Sequence, residues 1–405
     1  MLALLAARAG LRVRLFDQAL FPRPKACGGV LCPRAVGLVE EAGLGARLTA
    51  AGAEPIRSIH VYGPDGRRAV LPYGEGLALE RERLDVCLLE AAAGAGAEIC
   101  AGSRVEDLRL DAGRWPARLR YRTRDGRGGE ALGAWVAGAG GAHCPVRRRL
   151  AGAGGERGRM KPPAAGRARS THRWSLARAN ARQPRAGSAV AVSAILEGCV
   201  APAGVCEMHL LGGGYCGVCA AGGGRTTVGM VLPAAAWRRL GAPPSASLAL
   251  ALAAHPSLAG RMEPLRVAAG PWASGPLRTR PPREAAPGVV LLGDALARME
   301  PITGEGMAEA LSAARRVARW LVRSADPRTA PDLHRRLATQ IRPARRRSGL
   351  AAALSRAPRT SRLALACARH FPPLARIAGE RIAGRRWAHA GGHAPGRWQQ
   401  KETPL

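Results

Sequence analysis

Clusters of apolar residues divide the chain before any single motif is considered. Gly288-Val289-Val290-Leu291-Leu292 is a short continuous apolar run, the pattern of a strand buried on both faces. Residues 308–322 then place apolar side chains at helical spacing, which predicts a helix beginning just after a Gly-rich turn. Near the N-terminus an Ala/Leu-rich helical run ends at Gly10, and residues 11–17 read as a strand closed by a carboxylate. Residues 190–196, 205–211 and 225–232 read as further strands. From Leu333 to Trp387 helical apolar spacing recurs between arginines, at Leu350, Leu354, Leu363, Leu365 and Ile377, with Glu380 the only acid.

The turns between strands and helices carry the candidate chemistry. Gly293-Asp294, followed by Pro301-Ile302-Thr303-Gly304-Glu305-Gly306-Met307, joins the apolar strand to the 308–322 helix. An Asp at the carboxyl end of an α/β strand is placed to hold a ribose-type hydroxyl, and free N–H groups at the next helix start stabilise an anion. Gly293-Asp294 alone would be explained by an ordinary turn with Asp as N-cap; the whole string is more specific. Asp17 ends the earlier strand, where a dinucleotide fold binds the ribose of adenosine. Phe21-Pro22-Arg23-Pro24-Lys25-Ala26-Cys27-Gly28-Gly29 follows, and two glycines after a Cys let backbone approach a flat ring.

This order of motifs resembles that of FAD enzymes with the p-hydroxybenzoate hydroxylase-type fold, and within them the geranylgeranyl reductase-like branch. The resemblance implies an α/β fold: an FAD/NAD(P)-binding Rossmann-like domain, an inserted antiparallel β-sheet substrate domain and a C-terminal helical region. It implies that Asp294 contacts the FAD ribityl chain and that the amides from Gly304 to Met307 face the negatively charged edge of the flavin. Asp17, Arg23, Lys25, Cys27, Gly28, Gly29, Gly293, Pro301 and Glu305 join that cofactor set. So does Arg83, in Arg81-Glu82-Arg83-Leu84-Asp85, which resembles the family's R-x-x-L-D segment. Cys27 becomes a candidate active-site thiol. Gly212-Gly213-Gly214-Tyr215-Cys216-Gly217 resembles the family's G-G-Y-x-G segment, so Tyr215 becomes a candidate lining the substrate pocket.

Two departures qualify the resemblance. The strand, G-x-G-x-x-G loop and helix start with which a dinucleotide fold begins are missing ahead of Gly10. The expectation is a start placed too late in the gene, with a truncated, inactive relative as the alternative. Gly140, in Val136-Ala137-Gly138-Ala139-Gly140-Gly141-Ala142, stands where the family has the Asp of G-A-D-G-A, which puts NAD(P)H as electron donor in doubt.

The expected boundaries are a first part of the FAD-binding domain at 1–150 and a substrate-facing sheet at 151–269. A second part of the FAD-binding domain spans 270–328, and a basic helical region 329–405. Within the second segment, residues 156–185 are Arg-, Pro- and Ala-rich with poor periodicity and read as a basic insert or a shifted reading frame.

Composition changes little. The formal net charge of +33 would point to nucleic acid, but Lys occurs only at 25, 161 and 401 and the excess is arginine amid Ala, Gly and Pro. Such residues share GC-rich codons, and no zinc finger, helix-turn-helix or RNP motif accompanies them, so no specific nucleic-acid partner is expected. The ten cysteines are scattered, and Cys216-Gly217-Val218-Cys219 lies in a strand-like run without a second pair, so neither a disulfide framework nor a metal site is expected.

The function expected is an FAD-dependent oxidoreductase, a reductase passing hydride from flavin to a C=C bond of an isoprenoid or lipid-like substrate. The alternatives are an FAD-dependent aromatic or polyketide monooxygenase and a truncated, non-catalytic flavoprotein remnant. The partner expected is a hydrophobic small molecule. A cytoplasmic protein is expected, with peripheral membrane contact through its C-terminal basic helices as a further option.

Overall fold

The computed structural model describes residues 1–110, 117–151, 189–198, 201–240, 244–261, 266–275, 277–282, 285–324 and 326–383. The basic stretch at 156–185 lies outside the described residues, as does the end of the C-terminal region. Helix α1 (Leu2–Arg8) leads to β1 (Arg14–Asp17), β2 (Val30–Leu31), α2 (Pro33–Glu41) and α3 (Gly45–Ala50). A hairpin of β3 (Glu54–Tyr62) and β4 (Arg68–Ala78) precedes α4 (Arg81–Gly94) and β5 (Glu98–Ala101). Next come β6 (Ser103–Arg109), β7 (Ala117–Thr123), β8 (Gly128–Gly133), β9 (Val136–Gly138) and α5 (Pro145–Ala151). The middle of the chain supplies β10 (Ala189–Glu197), β11 (Val205–Leu211), β12 (Gly214–Gly222) and β13 (Arg225–Pro233). Then follow α6 (Ala234–Leu240), α7 (Pro244–Ala253), β14 (Arg266–Ser274), β15 (Val289–Leu291) and α8 (Gly293–Leu296). The chain closes with α9 (Gly306–Arg323), α10 (Ala330–Gln340), α11 (Arg342–Arg356), α12 (Pro358–His370) and α13 (Pro372–Ile382).

Two parallel pairs make the α/β part. Strand β1 pairs with β5, and β15 pairs with β9, so residues 289–291 return to a strand laid down 153 positions earlier. All three β15 residues are buried, which is why this strand reads as unbroken Val and Leu. Helix α1 packs on α4 and α9. The 308–322 helix is realised as α9, which buries Ala308, Leu311, Ala314, Val317 and Ala318 along one stripe.

The eight-stranded sheet runs β14-β10-β13-β12-β11-β3-β4-β2 and is antiparallel except where β11 lies parallel to β3. It therefore takes β2, β3 and β4 from residues 30–78, well ahead of position 151, and ends in β14 at 274, past position 269. Sequence reading missed these strands because Pro55, Pro72, Gly74 and Gly76 interrupt a clean alternation. Burial along β4 nonetheless alternates: Ala69, Leu71 and Tyr73 point inward while Val70 and Pro72 do not. One face of the sheet is covered by α6 and α7 through Trp237, Leu248 and Leu252. The other is roofed by α11, α12 and α13, and α13 sits on β4 so closely that a Cβ on Gly379 would collide with the Pro72 carbonyl. Among the described residues no helix is long and apolar enough to cross a membrane.

Candidate functional site

Strand β15 delivers Gly293 in a left-handed conformation (φ +52°), tight against Ala310 of α9, and so turns Asp294 outward. The Asp294 side chain is 45% exposed and lies 3.3 Å from the Arg298 Nε. It sits in a crevice whose surrounding protein raises its pKa above the ordinary value, with Arg298 and Arg81 pulling the other way. Beyond it the chain makes a 3₁₀ turn, Pro301–Thr303, and Gly304 takes φ +66° before α9 begins. No side chain caps α9, so its first amides stay available to an anion.

Facing this turn is the segment ending in Cys27-Gly28-Gly29. Gly29 has φ +68°, and a Cβ there would come within 2.7 Å of the Leu79 carbonyl oxygen, so only glycine fits. Gly28 and Gly306 differ, because a Cβ on either would meet nothing within 4 Å. Both therefore front open space beside the uncapped helix start. Lys25 and Arg81 both pair with Asp85, Arg81 at 2.9 Å. Burial lowers the Lys25 pKa, helped by Arg81 and opposed by Asp85. Cys27 lines a small recess with Lys25 and Arg81; burial lowers the guanidinium's pKa, but Cys27 and Asp85 outweigh it and raise it. Asp17 accepts from the Ala19 amide at 2.9 Å and lies 4.0 Å from Arg23, which neighbours Lys25. A relay of charges, Arg23, Lys25, Asp85 and Arg81, thus links the Asp17 and Asp294 ends of the site.

Two expected residues lie elsewhere. Arg83 turns away and donates to the Ala51 carbonyl at 3.1 Å. Arg81, two positions earlier and so on another side of α4, is the residue that faces Asp294. Its i,i+4 spacing to Asp85 was the available signal for a pair on one helix face. Tyr215, expected to line the substrate pocket, is 3% exposed and donates its hydroxyl to Glu300 at 3.0 Å. Burial, then Glu300, raises its phenol pKa. Buried Glu300 also pairs with Arg356, and buried Glu305 with Arg347, so two arginines of α11 clamp that helix onto the 300–305 turn. Sequence reading had no signal for these long-range pairs.

The clamped helices enclose a cavity of about 310 Å³ between the β3, β4, β11 and β12 face of the sheet and α11–α13. Its wall is almost entirely apolar, and it reaches Gly28 on one side and Gly304 on the other. The residues present fit the ribityl and ring portion of FAD. Asp294 would hold the ribityl hydroxyls, the α9 amides would support the charged ring edge, and the bare glycines at 28 and 306 would admit the ring plane.

Comparison with known proteins bears on the cofactor and the fold. Residues 1–162 match the family described as FAD binding domain. No curated protein matches the chain. Among solved structures, a flavoprotein/dehydrogenase from Cytophaga hutchinsonii is similar over 95% of this chain and 89% of its own, with 16% identity and a TM-score of 0.72. A geranylgeranyl bacteriochlorophyll reductase-like protein from Thermoplasma acidophilum covers 96% and 93%, with 18% identity and a TM-score of 0.70. A myxobacterial FAD-dependent chondrochloren halogenase covers 79% and 71%, with 21% identity and a TM-score of 0.65. At these identities the structural likeness concerns the fold, and the cofactor follows from the matched domain. Residues 1–162 thus match an FAD binding domain, and the chain as a whole has the fold of known flavoproteins.

Proposed function

We propose that the protein is a reductase that saturates a C=C bond of an isoprenoid or lipid-like substrate. The carrying observation is the apolar cavity, which meets the cofactor site at Gly28 and Gly304. FAD, when bound there, supplies the hydride. The cavity wall holds the apolar body of the substrate and keeps water out. Glycine backbone at 28 lets the double bond approach the ring plane. The Cys27 thiol, beside Arg81, donates the proton to the second carbon, and Asp85 pairs with both Lys25 and Arg81 behind it. Hydride and proton together leave a saturated bond.

The mouth of the cavity supports a membrane-derived substrate. Leu354 lines the cavity and is also 40% exposed, while Leu350, Leu363, Phe371, Leu374 and Ile377 stand exposed nearby on α11–α13 among arginines. An anionic lipid surface complements that face. The alternative, a monooxygenase acting on an aromatic or polyketide-like molecule, uses the same domain and fold.

Purified protein is expected to show a flavin absorption spectrum. Under anaerobic conditions, with the flavin chemically reduced, a polyprenyl substrate is expected to gain two hydrogens by mass spectrometry. Oxygen consumption coupled to NADPH oxidation only when an aromatic substrate is present would replace the reductase by the monooxygenase. Co-sedimentation with phosphatidylglycerol vesicles but not phosphatidylcholine vesicles checks the membrane face.

A further inference from the structure

The apolar cavity has one polar corner. Most hydroxyls on its wall are occupied: Thr227 donates to the carbonyls of Gly28 and Cys219, each at 3.2 Å, Ser355 to Ala352 at 2.9 Å and Ser361 to Pro358 at 3.1 Å. Two are different. Thr303, 5% exposed, has a buried Oγ1 with no hydrogen-bond partner among the described residues. Tyr73, 2% exposed, lines the same cavity, and its hydroxyl makes no hydrogen bond among the described residues.

Both residues belong to the end of the cavity at the 301–304 turn. The Tyr73 hydroxyl lies 3.8 Å from the place a Cβ on Gly304 would take. The ring is fixed there, since a Cβ on Gly76 would come within 2.7 Å of its Cε1 and 3.1 Å of the Leu31 carbonyl. A buried hydroxyl without a partner is costly, and packing alone would be served by Phe at 73 and Val at 303. Burial, followed by the neighbouring Cys32, Cys206 and Cys219 and the Glu305 carboxylate, raises the Tyr73 pKa. The phenol therefore keeps its proton and is available as a donor.

We propose that Tyr73 and Thr303 form a hydrogen-bonding socket that receives an oxygen atom of the substrate beside Gly304. The substrate class is then an apolar molecule of cavity size with a carbonyl or hydroxyl oxygen at its leading end, rather than a bare hydrocarbon. The inference rests on reading the cavity as the substrate site. Tyr73 acts as a specificity residue, selecting and orienting that oxygen.

Titration calorimetry of the full-length protein with undecan-2-one, undecan-2-ol and undec-1-ene tests it, together with infrared spectra of bound ketone carrying a ¹³C carbonyl. The wild type is expected to favour an oxygen-bearing ligand over the alkene by about tenfold, the size of one well-made hydrogen bond. The two oxygen ligands show which oxygen the socket prefers, and the ketone carbonyl stretch is expected to fall below its value in hydrocarbon solvent. Tyr73→Phe and Thr303→Val, each nearly isosteric, should each reduce the preference several-fold and leave alkene affinity unchanged. An unchanged preference in both variants, or a bound carbonyl at its hydrocarbon frequency, overturns the socket. Should one variant fail to fold, the other and the wild-type carbonyl frequency still decide. If the wild type binds none of the three ligands, the cavity reading falls and the socket with it, whereas flavin absorbance independently reports on the cofactor assignment.

Discussion

Strand β11 presents two faces that share a backbone and little else. Its even positions, Cys206, Met208 and Leu210, line the apolar cavity. Its odd positions, Glu207 and His209, are fully buried on the opposite side in a polar cluster. There Glu207 receives both Arg261 Nη1 at 3.1 Å and Nη2 at 2.9 Å, as well as the Tyr62 hydroxyl at 3.2 Å. Tyr62 stacks on His209 at 4.8 Å between centroids, and Ser257 bridges the Nδ1 atoms of His209 (2.7 Å) and His255 (2.8 Å). The period of two in a strand makes this division possible. The apolar face stays adaptable because its wall gains little from any single contact, whereas the polar face is fixed because each buried group depends on its partners. Ligand affinity should therefore respond to the first face and stability to the second.

Arg261→Leu gives the largest expected effect. It leaves the Glu207 carboxylate buried without its cation, at a cost of about 3 kcal/mol, discounted because Arg261 itself is partly exposed. Chemical denaturation should show that loss while alkene binding in the cavity persists; loss of binding at unchanged stability would reverse the assignment of the two faces.

Acid titration of stability sharpens the same point. Burial raises the Glu207 pKa, but His209 and Arg261 outweigh it and bring the carboxyl from its ordinary 4.5 down to about 2. A depressed folded value means that this stabilisation is complete above pH 4.5 and lost as pH falls through about 2. Burial, then His209, lowers the His255 pKa too, so stability should begin to fall once the pH drops below 6.5. The expected total is on the order of 2 kcal/mol between pH 7 and pH 3, measured by urea unfolding, with a flatter profile in Glu207→Gln.

Gly379→Ala acts on the cavity side. Its Cβ would press against the Pro72 carbonyl and push α13 off β4, at about 2 kcal/mol. Unlike Arg261→Leu, it should loosen the cavity, read as weaker binding of all three C11 ligands together. Met208→Leu is expected to be smallest in stability, under about 1 kcal/mol, because volume is nearly kept. Its effect should appear instead as a several-fold change in ligand affinity by calorimetry.

The strand-to-helix turns were legible because they are local. Gly293-Asp294 and the Pro301 to Met307 string are continuous, and their glycines mark backbone conformations that other residues avoid. Arg83 shows the limit of that approach. A motif located the helix turn, but the helical rotation between positions 81 and 83 decided that Arg81 pairs with Asp85 while Arg83 donates to the Ala51 carbonyl. Tyr215 shows another limit, since its partner Glu300 stands 85 residues away and no pattern along the chain joins them.

The sequence by itself determined the strand-to-helix joints, the buried run at 289–291, the amphipathic α9 and the cofactor those joints suit. These follow from short-range periodicity and from the few residues able to adopt a given turn. Tertiary structure alone decided that residues 30–78 join the large sheet, that α11 is clamped by Glu300 and Glu305, and that Tyr73 and Thr303 line the same apolar cavity. Those outcomes depend on long-range packing, where burial sets the worth of each partner and sequence separation carries no information about distance.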